Sequence, residues 1–459
     1  MDISVGESNL LGFLYPYFVS YFRLYDPTLK VEDMRVIPTY WLLAQIYSCP
    51  LGVYMYTKIG FRWTYVIFVT SFCVIQWLSS YITNFTVFSL IYGFSGGTSQ
   101  GALLILPIYC CWRYFDKEHK AKVSGMVLPA YALIPLFTSY LALYSVNPAN
   151  AKQTVQGDDG RMYFDSTVAM RVPTFLKLFG VVCAIIGYLG TFIILDPIEV
   201  HTEASPGREL QNLNQSDPKD AGLTSPLVKE QASDEKQKEL TEQINNITHV
   251  SVSEALNLFK LNEFAWMYAV MVLGFLFPHM MNFSFKSIGL MFLKDDAYVT
   301  FIGSLGAAIN ALSRLFVGML FHRYGYLVIG LTILTLEVIT AFSYLYCAHF
   351  KSLYFVATTA FEITYGGQLG MYPLVSDQLF KKKGAMYYSY LYSSFTISLI
   401  VSLNTYSYLS KWFSLYTPFV VIAIASLCAL PFVLKVGFRE KDIRNGGDPV
   451  SGPEENQIK

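Results

Sequence analysis

The sequence predicts an all-α integral membrane protein of about twelve helices, arranged as two similar six-helix bundles around a central cavity. Three observations carry this expectation. Charged residues are only 14% of the 459 and hydrophobic ones 53%, whereas a soluble chain carries roughly 25% charge. The charge is gathered into short clusters between long uncharged runs. A set of glycines, prolines and cations also recurs at a nearly constant offset. Lipid offers the backbone no hydrogen-bond partner, so each run of about 20 apolar residues is read as a spanning helix.

Eleven runs qualify: 38–57, 63–82, 86–111, 123–146, 173–195, 264–285, 299–321, 326–348, 352–375, 386–409 and 415–436. Before them, Leu10 to Tyr25 is apolar but about two turns short of a comfortable crossing. Met1 to Ser8 lacks the positive start of a cleaved signal peptide. Either neighbouring helices thin this first span, or the chain as given begins inside it. The second is the expectation, with the helix starting near Ser8. Tyrosines and phenylalanines cluster near run ends, as an aromatic belt requires.

Residues 198–250 are rich in Glu, Gln, Asn, Asp and Ser and cannot bury a core, so they read as a mostly disordered linker. The expected organisation is a bundle over 1–197, this linker, a second bundle over 251–437, and a loose polar tail over 438–459. Ser251 and Glu254 have capping-box spacing, which predicts a short interfacial helix before span 7. Residues 147–172, with Asp158, Asp159 and Arg161, form a second loop. Asn84-Phe-Thr86 is a glycosylation sequon in a loop too short to present it.

Other classes of function find little support. The seven cysteines fall in or beside apolar runs without zinc-ligand spacing and read as packing residues, so no metal is expected. No phosphate-binding loop with Lys-Ser/Thr and no nucleophile elbow occurs, which argues against an enzyme, a cofactor or an ATP-driven pump. Net charge is zero and no basic face stands out, so nucleic acid is not an expected partner. The expected partners are a small solute and the bilayer, with the chain acting as a monomer.

The internal repeat is specific. In Pro50 to Arg62, Lys58 stands two residues before Gly60; in Gly318 to Gly325, Arg323 stands two before Gly325. Span 4 holds Gly96-Gly97 and Pro107; span 10 holds Gly366-Gly367 and Pro373. The offsets are 265, 270 and 266 positions. These turns resemble the major facilitator signature, Gly-x-Leu-x-Asp-Arg-x-Gly-Arg. The second copy keeps Gly318, Leu320, Arg323 and Gly325, with His322 at the acidic place. The first keeps Lys58 and Gly60, with Arg62 one place late, Thr57 at the acidic place and Val53 at the leading glycine. In the superfamily that acidic residue helps latch one conformation, and neither copy has it.

Further segments are similar to the oxalate:formate antiporter and monocarboxylate porter branch. They are Trp112 to Lys117, Ala121 to Gly125, Asn282 to Gly289 and Asn310 to Gly318. The short loops between spans 2–3, 4–5 and 10–11 hold a modest excess of Lys and Arg. With an even helix number and the signature turns, this places both termini in the cytoplasm, in a plasma or organelle membrane.

Ionisable groups inside a bilayer are functional candidates, because each is costly there. Arg314 lies in span 8, four residues before Gly318. In the resembling branch an arginine at this spacing is a ligand of the substrate carboxylate; the alternative is an ion pair with Glu337 or Glu362. Asn310, Ala307 and Gly303 share its helix face. The branch's dicarboxylate porter adds a lysine in helix 11, whose place falls on or near Phe395, so a single carboxylate fits better. His279, beside Pro278, and Glu362 are candidate proton carriers; packing is the alternative for each. Glu337, in a peripheral span, reads as structural. Lys286 either steers anions or snorkels to the headgroups. Gly93, Gly96, Gly97 and Gly101 read as close helix packing. Gln100, Gln368, Tyr15, Tyr17, Tyr131 and Tyr392 are cavity candidates.

The expected function is secondary active transport of a small organic anion, in the first place a monocarboxylate, by proton symport or anion exchange with alternating access. Two alternatives stay open: a facilitator of another small solute such as an amino acid, and a non-transporting sensor, which the degenerate first turn favours.

Overall fold

The computed structural model describes residues 10–104, 106–107, 133–193, 257–381, 384–448 and 450. The stretch 198–250, Ser251 to Glu254, and Tyr131 lie outside them. The first helix, α1 (Leu11–Phe22), is 12 residues long and buried on every side, as an all-apolar sequence demands. A 3-10 turn, Val31–Arg35, leads into α2 (Val36–Ser79). Those 44 residues are two spans joined at Gly60 with φ 78° and ψ 171°.

Next come α3 (Phe85–Phe88), a π-helical stretch Ser89–Phe94 and α4 (Ser95–Leu104). Asn84 of the sequon caps α3, its Oδ1 accepting from the Val87 N–H at 3.1 Å. After α5 (Ile134–Val146), the 147–172 segment folds into an antiparallel hairpin, β1 (Val155–Gln156) with β2 (Met162–Tyr163), and a turn of helix, α6 (Ser166–Ala169). Hydrogen bonds from Thr167 and Val168 hold the capping Asp165 carboxyl below its usual range. Then α7 (Val172–Ile193) follows.

In the second half, α8 (Asn262–Gly274) and α9 (Leu276–Leu293) are one span broken at Phe275. The break lies where the ring of Pro278 meets the carbonyl four residues earlier. The 52-residue α10 (Asp296–Cys347) repeats the design of α2, with Gly325 at φ 78° and ψ 171°. Both turn glycines thus share a conformation open essentially to glycine alone. The remaining helices are α11 (Lys351–Phe380), α12 (Gly384–Leu391), α13 (Ser393–Trp412), α14 (Tyr416–Leu427) and α15 (Leu430–Arg444). The tail expected to be loose from 438 instead continues α15 to Arg444, with Glu440 buried. Among the described residues, five helical stretches are long and apolar enough to cross a membrane.

Glycines bring helix backbones into contact. A Cβ on Gly97 would stand 2.1 Å from the Trp41 carbonyl oxygen, and one on Gly101 would stand 2.9 Å from Gln45 Cα. In the second half, a Cβ on Gly366 would stand 2.3 Å from the Asn310 carbonyl oxygen, and one on Gly370 would stand 2.6 Å from that of Arg314. All four pairs of counterparts lie 269 positions apart, so packing matches Gly97 to Gly366, Gly101 to Gly370, Trp41 to Asn310 and Gln45 to Arg314. The offset of 270, which matched Gly96 to Gly366, is one residue out of this register. One pair swaps roles. Gly93 faces Ile37 in the first half, while Gly306 makes room for Glu362 in the second.

The halves meet along seams. A Cβ on Gly12 of α1 would stand 1.9 Å from the Asn282 carbonyl oxygen of α9. Ser139 and Ser304 hydroxyls lie 2.5 Å apart between α5 and α10, and Arg35 donates to the Ser407 hydroxyl of α13.

These contacts rank the glycines. Gly366→Ala forces α11 off α10 and destabilises the protein by about 1–3 kcal/mol, read as a lower apparent midpoint in thermal denaturation in detergent. The signature glycine Gly318 has only Leu374 Cδ1 near, at 3.7 Å, so Gly318→Ala leaves the midpoint nearly unchanged. Equal effects from the two variants would remove the ranking.

Candidate functional site

Arg314 sits on α10 with Asn310 one turn earlier. Its Nε donates to Asn310 Oδ1 at 3.0 Å, and Asn310 Nδ2 donates to Glu362 Oε2 at 3.0 Å. The three form a chain from cation to carboxylate, bridged by a neutral amide. They line a cavity between the halves with Phe13 of α1, Pro135 of α5, Asn282, Phe285, Gly303, Ala307 and Tyr365. Gly303 and Ala307 are part of this lining, but the space beside Gly303 is taken by the rings of Phe13 and Phe285, which a Cβ there would meet at 2.6 Å. The cavity measures about 20 Å³, room for about one water.

The other candidates fall around this centre rather than in it. Tyr15 is buried, stacked on Phe283 with ring centroids 5.9 Å apart, and its hydroxyl has no hydrogen-bond partner among the described residues. Tyr392 stacks on Phe395 at 5.1 Å. Gln100 accepts from the Trp41 indole between α2 and α4, and does not line the cavity. His279 is 1% exposed and packs on Phe395 at 4.2 Å and Tyr365 at 6.1 Å. Neither of its ring nitrogens has a hydrogen-bond partner among the described residues.

Glu337 is remote from Arg314. It accepts from Gln368 Nε2 at 2.5 Å and Ser426 Oγ at 2.8 Å, tying α10, α11 and α14 together. Gln368 is thus engaged inside the second half.

Lys286 departs from both expectations. Its side chain is fully buried, so it neither snorkels to headgroups nor waits for anions at a surface. It does reach towards the end of its helix, but it meets a carboxylate there instead of water. Nζ lies 2.8 Å from Asp296 Oδ1 and donates to Tyr17 OH and Thr300 Oγ1, each at 3.1 Å. Asp296 Oδ2 accepts from Tyr17 OH at 2.6 Å and Asn147 Nδ2 at 2.8 Å. Asp296 and Asn147 escaped the sequence reading because their partners come from four different helices or loops. The available signal was an acid at the head of span 8 opposite a lysine near the foot of span 7.

The second signature turn is held from outside itself. Glu440 of α15 accepts from the Tyr326 N–H at 3.2 Å, and Arg444 donates to the carbonyls of Phe321 at 3.2 Å and His322 at 2.6 Å. An acid is thus present beside this turn, supplied not at His322 but by Glu440 of α15. Arg323 lies over the Tyr324 ring at 5.3 Å, and Lys58 over that of Tyr54 at 5.9 Å. Arg62 lies two residues past the Gly60 turn, within α2.

Two pseudo-repeated helical halves meet at a small cavity lined by a cation and a carboxylate, an arrangement that a membrane carrier would have. The family model of the Major Facilitator Superfamily matches residues 3–387, and the chain belongs to that superfamily. It is therefore a multi-pass membrane protein that transports a small solute. The solved structure of the nucleoside transporter NupG is similar, with a TM-score of 0.59 over 95% of this chain and 98% of that one. The two are 11% identical, so the likeness is one of fold. No curated protein sequence matches the chain.

Lys286→Met leaves Asp296 buried without its cation, a loss of about 3–5 kcal/mol, and lowers the yield of monodisperse protein in detergent. Adding Asp296→Asn removes the stranded charge and recovers much of that yield. A Lys286→Met protein as well behaved as the parent would contradict the buried pair.

Proposed function

We propose that the chain carries a small monocarboxylate together with a proton, with Arg314 as the carboxylate ligand and Glu362 as the proton carrier. The observation behind this is the chain Arg314–Asn310–Glu362 lining the cavity between the halves. A guanidinium stays charged and offers a planar pair of donors that matches a carboxylate. Among the described residues lining the cavity it is the sole cation. By the resemblance, the place of a dicarboxylate porter's helix-11 lysine falls on or near Phe395, which favours one carboxylate over two.

Coupling follows from charge. Arg314 and Glu362 together are neutral, so an arriving anion leaves the site one negative charge in excess in a medium of low dielectric. A proton taken up by Glu362 restores neutrality. Asn310 donates to the Glu362 carboxylate and accepts from Arg314, so it feels both events. Protonation of Glu362 frees the Asn310 amide to bind the incoming carboxylate.

Uptake of labelled lactate, pyruvate, formate and oxalate into proteoliposomes, with and without a pH gradient, tests the reading. Monocarboxylates are accumulated when the outside is acid, and oxalate is not. Arg314→Gln abolishes uptake, since losing a charged hydrogen-bonding partner costs about 2–5 kcal/mol, roughly 30-fold or more in affinity. Arg314→Lys restores it in part. Glu362→Gln, fixed in a neutral form, still exchanges anion for anion but no longer accumulates it against a pH gradient. Normal transport by Arg314→Gln would refute the carboxylate assignment, and gradient-driven accumulation by Glu362→Gln would refute the proton assignment.

A further inference from the structure

We infer that Tyr17 and Asn147 form a latch that shuts the passage on the face bearing residues 147–171, docking into a charged socket that the second half keeps assembled. The socket is made by Lys286, Asp296 and Thr300, from α9 and α10 alone. The plug comes from the other half: the Tyr17 hydroxyl from α1, and the Asn147 amide from the end of α5. Tyr17 is used twice, donating to Asp296 Oδ2 at 2.6 Å and accepting from Lys286 Nζ at 3.1 Å. Its ring also lies under the ammonium, 4.2 Å from Nζ. Asn147 donates to the same carboxylate oxygen at 2.8 Å while bracing its own loop through Ala151.

Every hydrogen bond between the halves in this cluster therefore ends on Tyr17 or Asn147. Parting the halves at this face breaks those bonds and leaves Lys286 paired with Asp296. The plug groups are neutral, so each half can separate without stranding a charge, which makes the contact reversible. A buried ion pair is weak support for stability on its own; as a socket it gives neutral partners bonds stronger than they would make with each other. Hydrogen bonds to charged groups are also the ones whose loss is felt.

The same seam continues on either side. Outside the socket, Asn150, in the left-handed region at φ 48°, donates to Asp295 Oδ1 at 3.2 Å and accepts from the Ala297 N–H at 2.9 Å. One turn further along α10 than Thr300, Ser304 meets Ser139. The row runs from the loop edge towards the Arg314 cavity, with the socket as its charged centre. None of these contacts depends on what the solute is.

Distances between spin labels on the two halves test the latch without substrate. Cysteines at Thr154 and Ser352, both exposed, are labelled in full-length protein whose labelling native cysteines have been replaced, and measured in nanodiscs by double electron–electron resonance. The parent shows mainly the short separation of the closed face. Tyr17→Phe, which removes two bonds and little volume, raises the ratio of long to short separation by about ten-fold or more. Asn147→Asp, which sets a carboxylate against Asp296, raises it as well. Tyr25→Phe, at an exposed position just past the same helix, leaves the ratio at the parental value.

A ratio within two-fold of the parent in both latch variants overturns the inference. So does an equal rise in Tyr25→Phe. Should Tyr17→Phe not fold, Asn147→Asp decides alone. A rise with no accompanying loss at Arg314 supports the latch whether or not the carboxylate reading survives.

Discussion

The rest of the molecule depends on backbone riding on backbone at two pairs of helices. Gly97 and Gly101 let α4 sit on the first span of α2; Gly366 and Gly370 let α11 sit on α10. With no Cβ in the way, the helices close until carbonyls touch, and the register between them has no slack. That register decides which side chains are pushed outward into the cavity. In the first half it brings Trp41 and Gln45 to the positions that Asn310 and Arg314 hold in the second. The two halves share a scaffold but use it differently: Asn310 and Arg314 line the cavity, whereas the Trp41 indole turns to Gly96 and Gln100 of α4. Gly306 completes the asymmetry by opening the space that Glu362 fills.

Three clusters of buried ionisable groups within the spans, among the described residues, are handled differently. Lys286 and Asp296 are paired directly and surrounded by donors and acceptors, a closed unit with little left to offer a solute. Glu337 is met by neutral donors from two neighbouring helices, Gln368 and Ser426, which makes it a tie between spans. Arg314 and Glu362 are separated by one amide and share a cavity. Only the third arrangement leaves charge facing space that can be filled. An arginine beside a cavity is costly to place in a membrane, and the proposed carboxylate site rests on that residue.

The two signature turns share a backbone but not their support. Gly60 and Gly325 adopt the same φ and ψ, so the hairpin between spans is a property of glycine at that position. Around Gly325 the carboxylate and guanidinium of Glu440 and Arg444 hold the turn from α15, beyond the expected end of the bundle. Polar residues at 438–444 read as tail because charge outside an apolar run normally means solvent. Here the polarity serves exposed N–H and carbonyl groups at the turn, which need partners.

Much of the fold was legible in the residues, because a bilayer punishes any backbone that is not helical and so writes each span as an apolar run. The repeat was legible at the turn glycines Gly60 and Gly325 and one residue out at Gly97 and Gly366, since glycine there is required by strain or contact and is not easily exchanged. Arg314 and Asn310 stood out for the same reason: a charge inside an apolar run is visible in one dimension, and helix spacing puts both on one face. What stayed hidden was every relation between distant segments. That Lys286 meets Asp296 and Tyr17 instead of headgroups, that Gln100 turns to Trp41, and that Glu362 reaches Arg314 through Asn310 while Glu337 does not are facts of depth and helix rotation. Apolar periodicity around a span that is buried on most sides carries no information about either, so only the packed structure decides them.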